Sequence, residues 1–94
     1  MPPERPAVAA LRYAINAEEM YKRNQGRYGS FEDLVRARML TLDVAVQARS
    51  FQRRNYRFQL ELEKDGFRIV AMPGGPGPRP FVGDDSGIIR EGVE

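Results

Sequence analysis

An apolar stripe of helical period runs through residues 7–24 and stops at Gly26. At about 100° per residue, Ala7, Ala10, Leu11, Ala14, Ala17, Glu18 and Tyr21 share one broad face, with Val8 and Ile15 at its edge. Arg12, Asn16, Glu19 and Arg23 fall elsewhere. A face made mostly of alanine lets another layer come close to the helix axis, so the stretch reads as a scaffold helix carrying a small sheet. Glu18 is out of keeping with that face. A carboxylate buried without a partner is costly, and the favoured partner is a Tyr hydroxyl or a loop N–H, because buried polar groups bond locally. Glu18–Lys22 and Glu19–Arg23 are i,i+4 pairs that support the solvated side. Gly26 is the expected stop, in a left-handed conformation.

The helix is expected over 7–25, after an extended lead-in of residues 1–6 that holds Pro2, Pro3 and Pro6. Residues 26–54 read as a helical connection. Ser30 and Asp33 have the spacing of a capping box, opening a short helix over 31–38 with Phe31, Leu34 and Val35 on its inner edge. A further turn over 44–49 is capped by Asp43. From Asn55 the period changes to two: Tyr56, Phe58, Leu60 and Leu62 alternate with Arg57, Gln59, Glu61 and Glu63. That alternation signals a half-buried strand. Asp65-Gly66 supplies a hairpin turn, and Phe67, Ile69 and Ala71 mark the return strand. The Pro/Gly-rich 73–78 is a surface loop; it lacks the words of a phosphate cradle and opens no helix. Residues 79–82 make a third strand, Asp84-Asp85-Ser86-Gly87 a turn, and 88–90 a final short strand before a tail, 91–94. The sheet spans 55–90. The expected class is therefore α+β, a long N-terminal helix on a three- to four-stranded antiparallel meander, in a single domain.

Composition narrows the chemistry. The chain has 94 residues, no His and no Cys. Disulfides are excluded, and so are the common Ser/His and Cys/His arrangements and most transition-metal sites. No nucleophile has a base and no acid pair is spaced for catalysis, so no enzyme, no catalytic residue and no cofactor is expected. A net charge of +2 does not by itself call for nucleic acid.

The order of words resembles the globular part of type IV pilins and pseudopilins. They are Leu11…Ile15-Asn16-Ala17-Glu18…Tyr21, then Gly26-Arg27-Tyr28-Gly29-Ser30…Leu34, and Tyr56-Arg57-Phe58. Gly66-Phe67…Ala71…Pro73 and Arg79…Phe81…Asp84…Gly87-Ile88-Ile89-Arg90 complete the series, over roughly residues 8–90. Family members begin with a cleavable leader and a long apolar segment, which this sequence does not show ahead of residue 7. The expectation is a headgroup trimmed for solubility or a soluble relative. The resemblance implies an exported, extracytoplasmic structural subunit that packs with other pilin or pseudopilin subunits into a pilus or a secretion pseudopilus.

Three further features are candidates for function. Glu18 could set packing between subunits instead of bonding internally. Asp84 and Asp85 could ligate Ca²⁺, as in some pseudopilins; calcium wants six or more oxygens, and two carboxylates in a Ser-Gly turn favour a plain turn. Arg49, Arg53, Arg54 and Arg57, with Arg36 and Arg38 nearby and Phe51 and Tyr56 interleaved, form the basic cluster. It gives the alternative function, a polyanion- or DNA-binding module working through phosphate contacts and stacking; the plainer reading is a solvated face. The aromatics Tyr13, Tyr21, Tyr28, Phe31, Tyr56, Phe58, Phe67 and Phe81 are expected in the core or between helix and sheet.

Overall fold

The computed structural model describes residues 4–41, 46–53, 55–76 and 78–92. Helix α1 (Glu4–Gln25) is followed by α2 (Phe31–Arg36). Five strands come next: β1 (Ser50–Arg53), β2 (Tyr56–Leu62), β3 (Phe67–Pro73), β4 (Phe81–Asp84) and β5 (Ile89–Glu91). They form one sheet in the order β1-β2-β3-β4-β5, each pair antiparallel. The class is α+β, with the long helix laid on a meander.

Helix α1 starts earlier than the lead-in of residues 1–6 allowed. Residues 4–6 are already helical, because a proline in the first turn gives up an N–H that has no intrahelical partner there. Most of its inner face is the one expected: Ala7, Leu11, Ala14, Ala17, Glu18 and Tyr21 are buried, while Ile15, placed at the edge, is buried with them and Ala10 is half-buried. The helix ends at Gly26, whose φ is 81° and whose N–H bonds the Lys22 carbonyl at 2.8 Å. Lys22 and Arg23 sit in the last turn, where positive charge complements the helix dipole.

Helix α2 opens with the capping box. The Asp33 N–H donates to Ser30 Oγ and the Ser30 N–H to Asp33 Oδ2, both at 3.1 Å. It ends at Arg36 rather than at 38. Arg38 turns left-handed, with φ 61°. Its N–H bonds Val35 O at 3.0 Å while the Met39 N–H bonds Leu34 O at 2.9 Å, the two bonds of a Schellman stop. That early reversal leaves Val35 at 40% exposure, against its expected place on the inner edge.

The strand count is the main correction. Residues 50–53 are not part of a helical connection but pair with β2, Phe51 opposite Phe58 and Arg53 opposite Tyr56. The turn expected over 44–49 lies partly outside the described residues, as does its cap Asp43. Its described part, 46–49, leads into β1 through a tight reversal, with Val46 bridged to Phe51 and the Gln47 N–H on Ser50 O at 2.9 Å. Strand β5 runs to Glu91, so the tail begins later, and Ile88 precedes it at 61% exposure.

The core lies between the sheet and the helices. Phe51, Phe58, Leu60, Phe67, Ile69 and Ala71 fill the inner face. Helix α1 covers β3, β4 and β5. A Cβ on Gly83 would lie 2.5 Å from Ile15 Cδ1, so a side chain there would make the end of Ile15 shift. On the β1–β2 side the cover is aromatic. Phe31 meets Phe51 edge-on at 5.0 Å, and Phe51 stacks on Phe58 at 4.6 Å.

Candidate functional site

The densest polar arrangement forms where α1 hands the chain to α2. The 26–30 loop folds back on the last turns of α1, and its closeness is set by Gly29. A Cβ there would meet Tyr21 Cε2 at 2.7 Å and Asp33 Cβ at 3.0 Å. The buried Gly29 N–H donates to Glu18 Oε1 at 3.0 Å. This is the loop N–H partner expected for Glu18. The side chain turns inward from Lys22, which instead lies 5.0 Å from the centre of the Tyr28 ring.

Glu18 is 0% exposed, and its second oxygen, Oε2, is buried without a hydrogen-bond partner among the described residues. Burial drives its carboxyl up to about 7; the Gly29 N–H opposes that rise, and the charges of Asp33 and Glu19 add to it. Around it the loop is fastened twice more. The Tyr28 hydroxyl donates to Glu19 Oε2 at 3.4 Å, and its ring meets Phe67 edge-on at 4.7 Å. Arg27 lies over the Tyr21 ring at 5.6 Å and sits 3.9 Å from Asp33 Oδ2. Asp33 itself is held below the usual carboxylate range, chiefly by the Ser30 N–H. Burial raises the Tyr28 hydroxyl, with Glu19 and Asp85 contributing. The arrangement holds geometry: one carboxyl, one glycine amide and two tyrosines fix how the loop meets the helix.

The Asp84-Asp85 turn is satisfied from within. Asp84 Oδ1 accepts from the Ser86 N–H at 2.9 Å and from the Ser86 hydroxyl, while Oδ2 is 3.8 Å from Arg90. Those Ser86 bonds lower the Asp84 carboxyl. Asp85 turns the other way, over Gly66. Among the described residues no three metal-ligating side chains converge.

The arginine cluster is described in part. Arg49 and Arg57 are exposed and Arg53 half-buried, while Arg54 lies outside the described residues. Arg36 pairs with Asp33 at 3.2 Å. A shallow cleft of about 200 Å³ lies beside the cluster, lined by Gln47, Ser50, Phe51, Gln52 and Arg57. The two aromatics interleaved with the arginines do not face outward. Phe51 stacks inside on Phe58, and Tyr56 is buried with its hydroxyl donating to Arg79 O at 2.7 Å. The surface therefore offers guanidinium groups without those two stacking platforms.

Three anchors carried no readable signal. Arg12 donates to Gly87 O at 2.6 Å, fastening α1 to the turn before β5. The Thr41 N–H donates to the Tyr13 hydroxyl at 2.8 Å, although Tyr13, expected in the core, is 38% exposed. Arg79 grips both oxygens of Glu91, at 2.9 and 2.7 Å. Partners so far apart in the chain have no fixed spacing to betray them. Among the described residues no helix is long and apolar enough to cross a membrane. Comparison with family models, with curated proteins and with solved structures finds no match.

Proposed function

We propose that the chain is the globular headgroup of a pilin-like structural subunit, exported from the cytoplasm and packed with its own kind into a type IV pilus or a secretion pseudopilus. The observation that carries this reading is architectural. A long N-terminal helix lies across an antiparallel meander, and the Gly-Arg-Tyr-Gly-Ser loop after it is locked to the helix through Glu18. The words on which the resemblance rests lie at the helix stop, the α2 cap, the central hairpin and the closing turn, which supports the reading.

Such a subunit contributes shape, not chemistry. Met20 at 47% and Tyr13 at 38% exposure leave apolar surface on the side of α1 away from the sheet, suited to packing against neighbouring subunits. Antibodies raised against this chain should label surface filaments, or the membrane fraction holding a secretion pseudopilus, in the source cells. Labelling confined to the cytoplasmic fraction would overturn the proposal. Reading the coding DNA upstream of Pro2 adds an independent check, since an apolar segment with a Phe-Thr-Leu-like start is expected there.

A further inference from the structure

The one carboxyl wholly sealed among the described residues has a hydrogen bond on only one of its two oxygens. Glu18 receives the Gly29 N–H on Oε1, and Oε2 has no partner. An ionised carboxylate is acceptor-only on both oxygens and calls for several donors. Here it finds one, in a dry setting where an unmet charge is penalised heavily. A neutral carboxylic acid needs far less: Oε1 keeps the Gly29 bond as a carbonyl oxygen, and the proton on Oε2 removes the charge.

The surroundings push the same way. On α1 the neighbours are Glu19, Tyr21 and Lys22; Lys22 is drawn off over the Tyr28 ring. On the loop they are Arg27 and Tyr28, with Arg27 spread between Tyr21 and Asp33. From α2 comes Asp33, and from the turn before β5 comes Asp85, which acts on Tyr28. The carboxylates Glu19 and Asp33 oppose a charge on Glu18. Neither cation makes an ion pair with Glu18 among the described residues.

We infer that Glu18 is a proton-operated latch: its neutral carboxyl holds the 26–30 loop shut on α1, and ionisation loosens that loop by driving the carboxylate toward water. The move available is small. The contacts at stake are the Glu18–Gly29 bond and the Tyr28–Phe67 ring contact, and neither is a bond of the sheet or of the α2 cap. The latch therefore acts on the junction between α1 and α2 and leaves β1–β5 paired.

The test is a pH titration of the isotope-labelled chain by NMR. The Glu18 side-chain carbonyl carbon should titrate with a midpoint between pH 6 and 8, well above the ordinary glutamate value of 4.5. The Gly29 amide should follow the same midpoint. Its protection against hydrogen exchange, corrected for intrinsic rate, should fall by up to about tenfold per pH unit from pH 5 to 7 and then level off. In Glu18→Gln that fall should vanish. In Glu19→Gln the Glu18 midpoint should move down while the Gly29 response persists. A Glu18 midpoint near 4.5, or an equal loss of Gly29 protection in Glu18→Gln, overturns the inference. Should Glu18→Gln not fold, the carbon midpoint and the coincident Gly29 change in the unaltered chain and in Glu19→Gln decide it by the same two outcomes.

Discussion

The two halves of the sheet are covered by different means. Over β3, β4 and β5 the cover is α1, a helix of small side chains that approaches closely enough for Ile15 to rest on Gly83. Over β1 and β2 the cover is bulk: Phe31, Phe51 and Phe58 pile one on another, with Tyr56 tilted beside Phe58 at 6.3 Å. The first half gains its stability from fit and the second from buried aromatic area. The halves also differ in polarity, because the α1 side contains the sealed carboxyl and the aromatic side is anchored by a tyrosine hydroxyl on a carbonyl. Fit is intolerant of added atoms; bulk is intolerant of their removal.

The largest expected effect is on the bulk side. Phe58→Ala empties the centre of the stack and should cost about 3–5 kcal/mol, read as a drop in the urea midpoint. That loss should be the same at pH 5.5 and pH 8, because no titrating group lies in the stack. Next is the pH dependence of the α1 side. Between the unfolded Glu18 value of 4.5 and the folded one of about 7, the native chain binds one more proton than the unfolded chain. Stability due to Glu18 is therefore full below pH 4.5, falls as pH rises toward 7, and levels above it, for a total of about 3 kcal/mol at most. Urea melts of the unaltered chain and Glu18→Gln across pH 5–8 should diverge in slope by that amount; parallel curves would remove the contrast between the halves.

A smaller effect tests fit directly. Gly83→Ala should cost about 1–3 kcal/mol by pressing on Ile15. Ile15→Val, which removes the intruding methyl, should recover part of that loss when the two are combined. If the double variant is merely additive, close approach is not what the glycine provides. The smallest effect has the opposite sign. Arg38 holds a left-handed conformation that glycine adopts without penalty, so Arg38→Gly should stabilise by about 1 kcal/mol, seen as a raised thermal midpoint.

These contrasts also explain what could be read from the chain alone. The α1 face was legible because a long helix repeats its pattern many times. The β2–β3 hairpin was legible because alternation over seven residues and an Asp-Gly turn agree. Strand β1 was not, since four residues hold a single inward aromatic, Phe51, and no alternation can be heard over that length. Its one cue was Asn55, which takes a left-handed φ of 67° in the hairpin between β1 and β2. The internal partner of Glu18 was foreseen from its misplaced charge, but Gly29 could not be singled out, because the return of the loop depends on tertiary packing. Phe51 read only as an aromatic interleaved with arginines, while Tyr56 carried that reading beside an expected place on the inward side of β2. Phe51 points inward because the pairing of β1 with β2 sets its face, and that pairing was the element missed.

The meander joins each strand to the next one along, yet α1 rests on the strands made last. Arg12 bonds Gly87, and Ile15 sits on Gly83. On a ribosome the helix emerges first and its berth last. Until β4 and β5 arrive, the stripe that includes Leu11, Ile15 and Tyr21 has only part of its berth, on the 26–30 loop and β3. The rest of that apolar face stays open to other chains for as long as synthesis of the sheet takes.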